Sequence, residues 1–155
     1  FKGQRVVLTP EPDTDPGAVQ RVTDMWRATG AGILTMTAAH HDDVLAVTSH
    51  LPHMLGYTLV DALLKLDDNK TMVALAASSF RDATRVAASD PEMWHDICLS
   101  NRVALVKALK HYRVQLDELL AAIESGDGQS LRALFRRAKQ QRDALPARDK
   151  GRSVE

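Results

Sequence analysis

Ser49-His50-Leu51-Pro52-His53 is the stretch of this chain whose residue types and spacing are best suited to chemistry. It interrupts a long apolar run, Val44 to Leu66, where polar side chains are unexpected. A hydroxyl and two imidazoles three positions apart fall on adjacent turns of a helix, with a proline between them. Such groups bind metals, move protons or hydrogen-bond an organic acid. His40-His41-Asp42-Asp43 stands about two turns earlier and adds further candidate ligands. The register disfavours a metal. No Glu accompanies His50 and His53 at the spacing of helical metal bundles, and there is no second Glu-x-x-His element. His41-Asp42 also suggests the core pair of a metal phosphohydrolase. That core needs an upstream His, and none precedes His40.

Anion recognition is the other chemistry on offer. Arg81, Arg85 and Arg102 are the candidate clamps, with Arg81 and Arg85 four apart on one helix face. The plain alternative is two surface arginines, with Asp82 neutralised by Arg85 at i, i+3. Trp94, after Pro91-Glu92-Met93, reads first as a core residue. Cys98, the single cysteine, reads as a small core residue between Ile97 and Leu99. It allows no internal disulfide and fits a reducing, cytoplasmic setting.

The elements that must position these groups divide the chain. Gln4 to Pro10 reads as a short strand ending at a proline. Asp15-Pro16 starts a helix that continues to Gly30, with Val19, Val22, Met25 and Trp26 at helical spacing. Ile33 to Met36 reads as a second strand. Two parallel strands joined by a helix are not stable alone and need a larger sheet. The start at Phe1 and the lack of a Gly-rich phosphate loop suggest a missing N-terminal part of that sheet.

From Ala38 the pattern is helical. His40 to Leu66 reads as one helix, kinked or broken near Pro52. Asp67-Asp68-Asn69 is a turn, Thr71 to Ser79 is small and apolar, and Phe80 to Ser89 is a short amphipathic piece. Asp90-Pro91 caps a helix expected to run unbroken to Glu124, about 50 Å at ~1.5 Å per residue. That length exceeds a compact monomer, so a helical homodimer is expected. Ser125-Gly126-Asp127-Gly128 separates it from a last helix, Gln129 to Leu145, stopped by Pro146 and followed by a frayed tail, Lys150 to Glu155.

Composition sets outer bounds. The chain has 155 residues, 45% apolar and 26% charged, which suits one domain or a small domain carrying part of another. Its formal net charge is zero, a poor match to a nucleic-acid binder. The basic excess between Arg132 and Arg152 reads as the solvated face of a terminal helix. No apolar run approaches the ~20 residues of a membrane span.

Taken together, these segments resemble one family. His41-Asp42 is followed by Ala46-x-x-Ser49-His50-Leu51-Pro52-His53. Then comes Phe80-Arg81-Asp82-x-Thr84-Arg85-Val86-Ala87-x-Ser89-Asp90-Pro91-x-Met93-Trp94. This order is similar to that of the prephenate/arogenate dehydrogenases of tyrosine biosynthesis. Gly3-x-x-Val6-x-Leu8-Thr9-Pro10 resembles the end of that family's nucleotide domain, and the likeness runs from residue 3 to residue 143.

The resemblance implies a mainly α fold. Residues 1–37 would be the tail of a Rossmann-like nucleotide-binding domain, an incomplete β-α-β unit. Residues 38–155 would be an all-helical dimerisation and substrate-binding domain. It implies NAD- or NADP-dependent oxidative decarboxylation of prephenate or arogenate, with tyrosine as a possible inhibitor. The family's Gly-rich loop and catalytic histidine fall outside this sequence, so no catalytic residue is expected within it. Arg85 matches the arginine that holds a substrate carboxylate, a bidentate task that suits guanidinium. Ser49 matches a pocket hydroxyl, and His53 an imidazole that also contacts tyrosine. Trp94 matches a residue offered by the partner subunit. Ala76-Ala77-Ser78-Ser79 departs from the family's glycine-rich run, which puts a backbone contact at Ser78 in doubt. The alternative is a non-catalytic helical dimer that binds tyrosine or a related aromatic acid as a regulator.

Overall fold

Asp15-Pro16 opens the first helix as its residue types dictate. The Asp15 carboxylate accepts from the amides of Gly17 and Ala18, both at 3.0 Å, and Pro16 has no donor to lose. That helix, α1 (Pro16–Ala28), connects strand β1 (Arg5–Leu8) to strand β2 (Gly32–Thr35). The strands pair in parallel, Arg5 opposite Gly32 and Leu8 opposite Thr35. Gly30, at φ 85°, makes the turn that β-branched or bulky residues would resist. The edge of Phe1 meets Trp26, with ring centroids 5.1 Å apart. Val7 and Leu34 remain 38% and 40% exposed, as expected for two strands without a wider sheet around them.

The computed structural model describes residues 1–145; Pro146 and the tail Lys150 to Glu155 lie outside the described residues. Helices make up the rest: α2 (Ala38–Leu45), α3 (Leu51–Leu64), α4 (Asn69–Ala74), α5 (Ser78–Thr84), α6 (Pro91–Ser100), α7 (Arg102–Glu124) and α8 (Gly128–Ala144). Two compact units result. One comprises Phe1–Leu8, Pro12–Thr35 and the chain from His111 on; the other comprises Thr9–Glu11 and Met36–Lys110. The β-α-β pair with helices elsewhere is the fold class expected from the sequence.

Within the second unit the run from His40 to Leu66 is disturbed beside Pro52, as expected, though not by a break at the proline itself. Ala46–His50 forms one widened helical turn, in which the Leu51 amide donates to the Ala46 carbonyl, and Pro52 then sits in the first turn of α3. A proline is tolerated there because its missing donor is not needed. The helix expected from Pro91 to Glu124 is two helices, divided at Asn101, whose backbone leaves the α region at φ −104°, ψ 34°. The Asn101 side chain donates to the Asp42 carbonyl at 2.8 Å, a long-range tertiary bond that holds the break against α2.

The core of this unit gathers Ala46, Leu51 and Ala108, with Leu55, Ala104 and Leu109 packed against them. The small Ala46 is fully buried and lets α7 approach the widened turn closely. Cys98 donates its S–H to Met54 Sδ at 3.3 Å, tying α6 to α3 and matching its expected place as a small packing residue. In the first unit Gly126 (φ 67°) and Asp127 separate α7 from α8; the Asp127 carboxylate accepts from the amides of Gln129 and Ser130.

Candidate functional site

The widened turn decides which side chains meet. It carries Ser49 and His50, and α3 carries His53 one turn further on. The His53 ring turns back, and its Nδ1–H donates to the Ser49 carbonyl at 2.8 Å. Its face lies on the indole of Trp94 from α6, with centroids 3.7 Å apart and planes 23° from parallel. His50 meets the same indole edge-on at 6.0 Å and 77°. Trp94 is therefore held by two imidazoles of its own chain. These contacts are made within one chain.

Trp94 is 6% exposed. Its Nε1 is the one sealed side-chain nitrogen or oxygen without a hydrogen-bond partner among the described residues. An unmet buried donor costs about 1–3 kcal/mol, so the position is one where an added acceptor gains.

Behind the imidazoles lies a polar network. Asn101 is 9% exposed and its amide nitrogen lies 3.2 Å from His50 Nδ1 as well as on the Asp42 carbonyl. Asp42 in turn pairs through its carboxylate with His41 at 3.1 Å. Burial pushes the His50 imidazole below its ordinary 6.5; Asp42 opposes that, and His41 and His53 reinforce it. Asn101 was not singled out from the sequence. A helical pattern gives no sign that one Asn among many polar residues is buried.

Arg85 opens a tight helical turn, Arg85–Ala88, that follows α5. This turn packs on α3 at Gly56. A methyl group there would stand 2.7 Å from Val86 Cγ2, so only glycine admits the contact unchanged. The Tyr57 hydroxyl donates to the Ser89 carbonyl at 2.7 Å and fastens the same two segments. Arg85 therefore rides on a turn docked beside the next helical turn after His53. The Arg85 side chain is exposed and forms no ion pair among the described residues, so the expected neutralisation by Asp82 is not seen. Ser78 is exposed at the first residue of α5. The structure thus joins Ser49, His53 and Trp94 by direct contact. It does not join Arg85 or Ser78 to them through a bond. A cleft of about 750 Å³ borders the network at Asp42 and Asn101, with Arg102 and Lys107 on its walls. None of Ser49, His53, Arg85 and Trp94 lines it.

The β1–α1 connection does not fit a dinucleotide. It holds Glu11, Asp13 and Asp15, and the first amides of α1 are already taken by the Asp15 carboxylate. Negative charge stands where a pyrophosphate would need bare N–H groups.

The family described as prephenate dehydrogenase, dimerization domain, matches residues 37–137. The chain belongs to the prephenate dehydrogenase family. Cyclohexadienyl dehydrogenase of Zymomonas mobilis is 42% identical over 147 residues, 94% of this chain and 50% of that protein. Prephenate dehydrogenase from A. aeolicus, solved in complex with hydroxyphenyl propionate and NAD+, superposes with a TM-score of 0.89 at 31% identity, over 94% of this chain and 51% of that one. Synechocystis arogenate dehydrogenase superposes with a TM-score of 0.85 at 34% identity, over 92% of this chain and 52% of that one. The chain thus spans about half the length of these family members.

Proposed function

We propose that this chain is the substrate-binding and dimerising part of a prephenate or arogenate dehydrogenase. The reaction is oxidative decarboxylation of prephenate to 4-hydroxyphenylpyruvate, or of arogenate to tyrosine, in aromatic amino acid biosynthesis. A nicotinamide cofactor, NAD or NADP, takes the hydride, and it is held by residues other than those of the β1–α1 connection. No catalytic residue is assigned within these residues; their work is binding. Arg85 takes a substrate carboxylate in a bidentate pair. Ser49 and His53 wall the ring, Trp94 supports the His53 ring from behind, and Ser78 stands near the side chain. Tyrosine, a product-like acid, binds the same wall and inhibits.

The observation that carries this reading is the half-buried His53 ring, stacked on the Trp94 indole and tied through Nδ1–H to the Ser49 carbonyl. Hydroxyphenyl propionate, bound in the A. aeolicus relative, has the phenol and carboxylate such a wall would meet. The boundary between the nucleotide domain tail and the helical domain falls at Thr37, whose hydroxyl caps α2 by accepting from the His40 amide at 3.2 Å. Val103 on α7, 82% exposed, belongs to the surface that a second copy covers. No described helix is long and apolar enough to cross a membrane, and the cytoplasm is the proposed compartment.

Calorimetric titration of the 155-residue chain with 3-(4-hydroxyphenyl)propionate tests the proposal. Saturable binding at one site per chain, competed by tyrosine, is expected. Absence of binding at millimolar ligand overturns it. The chain alone, mixed with prephenate and NAD, is expected to show no turnover.

A further inference from the structure

We propose that Asn101 is a positioning residue that holds His50 as a neutral imidazole with its proton on Nε2, giving the wall beside Trp94 a fixed, uncharged hydrogen-bond donor. The argument is one of donors and acceptors. The Asp42 carbonyl can only accept, and it lies 2.8 Å from the Asn101 amide nitrogen. That contact fixes which end of the Asn101 amide is nitrogen. The same nitrogen lies 3.2 Å from His50 Nδ1, within reach of its second N–H. A donor there requires Nδ1 to accept, so Nδ1 carries no proton and Nε2 must carry it. A doubly protonated ring would set two donors against each other in a buried place.

Surroundings support the same state. His50 is 8% exposed, and burial disfavours its charged form. The charged and titratable groups around it are His41 and Asp42 from α2 and His53 from α3. Asp42 is the one group that favours a proton, and its carboxylate is paired with His41. Trp94 and Asn101, from the side of α6 and its end, carry no charge. Among the described residues His50 Nε2 has no hydrogen-bond partner, yet it is absent from the sealed unpaired atoms, which are Trp94 Nε1 alone. It therefore opens to the outside.

His53 is set the opposite way. Its Nδ1–H is given to the Ser49 carbonyl, so Nε2 is its free nitrogen. The two imidazoles that flank Trp94 thus present different chemistry: His50 offers an N–H, and His53 offers the nitrogen whose proton is not committed. For an anionic ligand, His50 supplies direction without charge, and the charge must come from elsewhere, from Arg85 in the reading above. That ligand consequence rests on the proposed function. The tautomer itself does not.

The test uses the whole chain labelled with ¹⁵N-histidine and long-range ¹H–¹⁵N correlation spectra, with His50 assigned by the signal lost in His50→Gln. The expected wild-type spectrum shows His50 with Nδ1 bare and Nε2 protonated at neutral pH, while His53 shows Nδ1–H. Asn101→Asp replaces the donor by an acceptor. It is expected to move the His50 proton to Nδ1 and to let the ring charge near neutral pH. A wild-type Nδ1–H on His50, or a His50 signal unchanged in a folded Asn101→Asp variant, overturns the proposal. Should that variant fail to fold, Asn101→Ser provides the second measurement: its shorter hydroxyl cannot span both acceptors, and His50 is expected to take up a proton at higher pH than in the wild type. A His50 titration identical to wild type there overturns the role of Asn101. In a separate arm, Asn101→Asp is expected to bind 3-(4-hydroxyphenyl)propionate at least about tenfold more weakly. A changed tautomer with unchanged binding retains Asn101 as the residue that sets the tautomer and rejects the ligand reading.

Discussion

The imidazole of His53 lies flat on the indole of Trp94, 3.7 Å between centroids, while its Nδ1–H is tied to the Ser49 carbonyl. The stack orients the indole, and the indole N–H is left sealed without an acceptor. Trp94→Phe keeps an aromatic face for His53 and removes only the donor and one ring's volume. Stability is expected to fall by less than the ~3–5 kcal/mol of a truncation to Ala. Affinity for 3-(4-hydroxyphenyl)propionate is expected to fall modestly, because the smaller ring supports His53 less well. Equal affinity in the two proteins would show that His53 is held in place without the full indole face.

Gly56 sets the distance between α3 and the Arg85–Ala88 turn. In an open helix, Gly→Ala gains about 1 kcal/mol. Here the added methyl would stand 2.7 Å from Val86 Cγ2, and a β-branched neighbour cannot swing aside. Gly56→Ala is therefore expected to lose about 1–3 kcal/mol by overpacking. It should also weaken acid binding, because Arg85 moves with the turn. Gly56→Ala combined with Val86→Ala is expected to recover most of both losses, a coupling read by denaturant titration of the four proteins. A stabilised single variant would show that the contact relaxes freely.

Different parts of this arrangement were legible to different degrees. Asp15-Pro16, Asp90-Pro91 and Gly126-Asp127 announce helix boundaries because capping is local chemistry, and all three stand where expected. Pro52 announced a disturbance in the His40–Leu66 run but not its form. A widened turn and a kink serve the same missing donor, and tertiary packing chooses between them. Asn101 hid inside a helical pattern, since its burial depends on Asp42 and His50, 59 and 51 residues away in sequence. The approach of Ser49 and His53 was legible from their spacing of one helical turn, while the stack of His53 on Trp94 of the same chain was not legible. The distance from His53 to Trp94 in sequence carries no periodicity that would reveal a stack.

Acid sensitivity follows from His50. Its folded-state value lies below the ordinary 6.5, chiefly through burial. Between those two values the unfolded chain binds more protons than the folded one, so stability rises with pH across that window. The contribution is complete above 6.5 and is lost as pH falls through the window. Denaturant midpoints should therefore drop on acidification below that point, and His50→Gln should flatten the drop. A wild-type midpoint that instead improves on acidification across the same range contradicts the direction.

Arg85 is the sharpest test of the site as a whole. Its side chain is exposed, and no ion pair holds it among the described residues, so folding gains little from its charge. Arg85→Ala is accordingly expected to change stability by no more than about 0.5 kcal/mol. Binding should respond differently. A guanidinium paired with a substrate carboxylate in a partly dry site is worth roughly 3 kcal/mol, or somewhat more than a hundredfold in affinity. Arg85→Lys should restore only part of this, because an ammonium cannot form the bidentate pair. The comparison is to be made in the full-length enzyme, with KM for prephenate read beside kcat. A large rise in KM with intact thermal stability places Arg85 on the carboxylate. An unchanged KM removes it from the site and leaves Ser49, His53 and Trp94 to bind the acid without it.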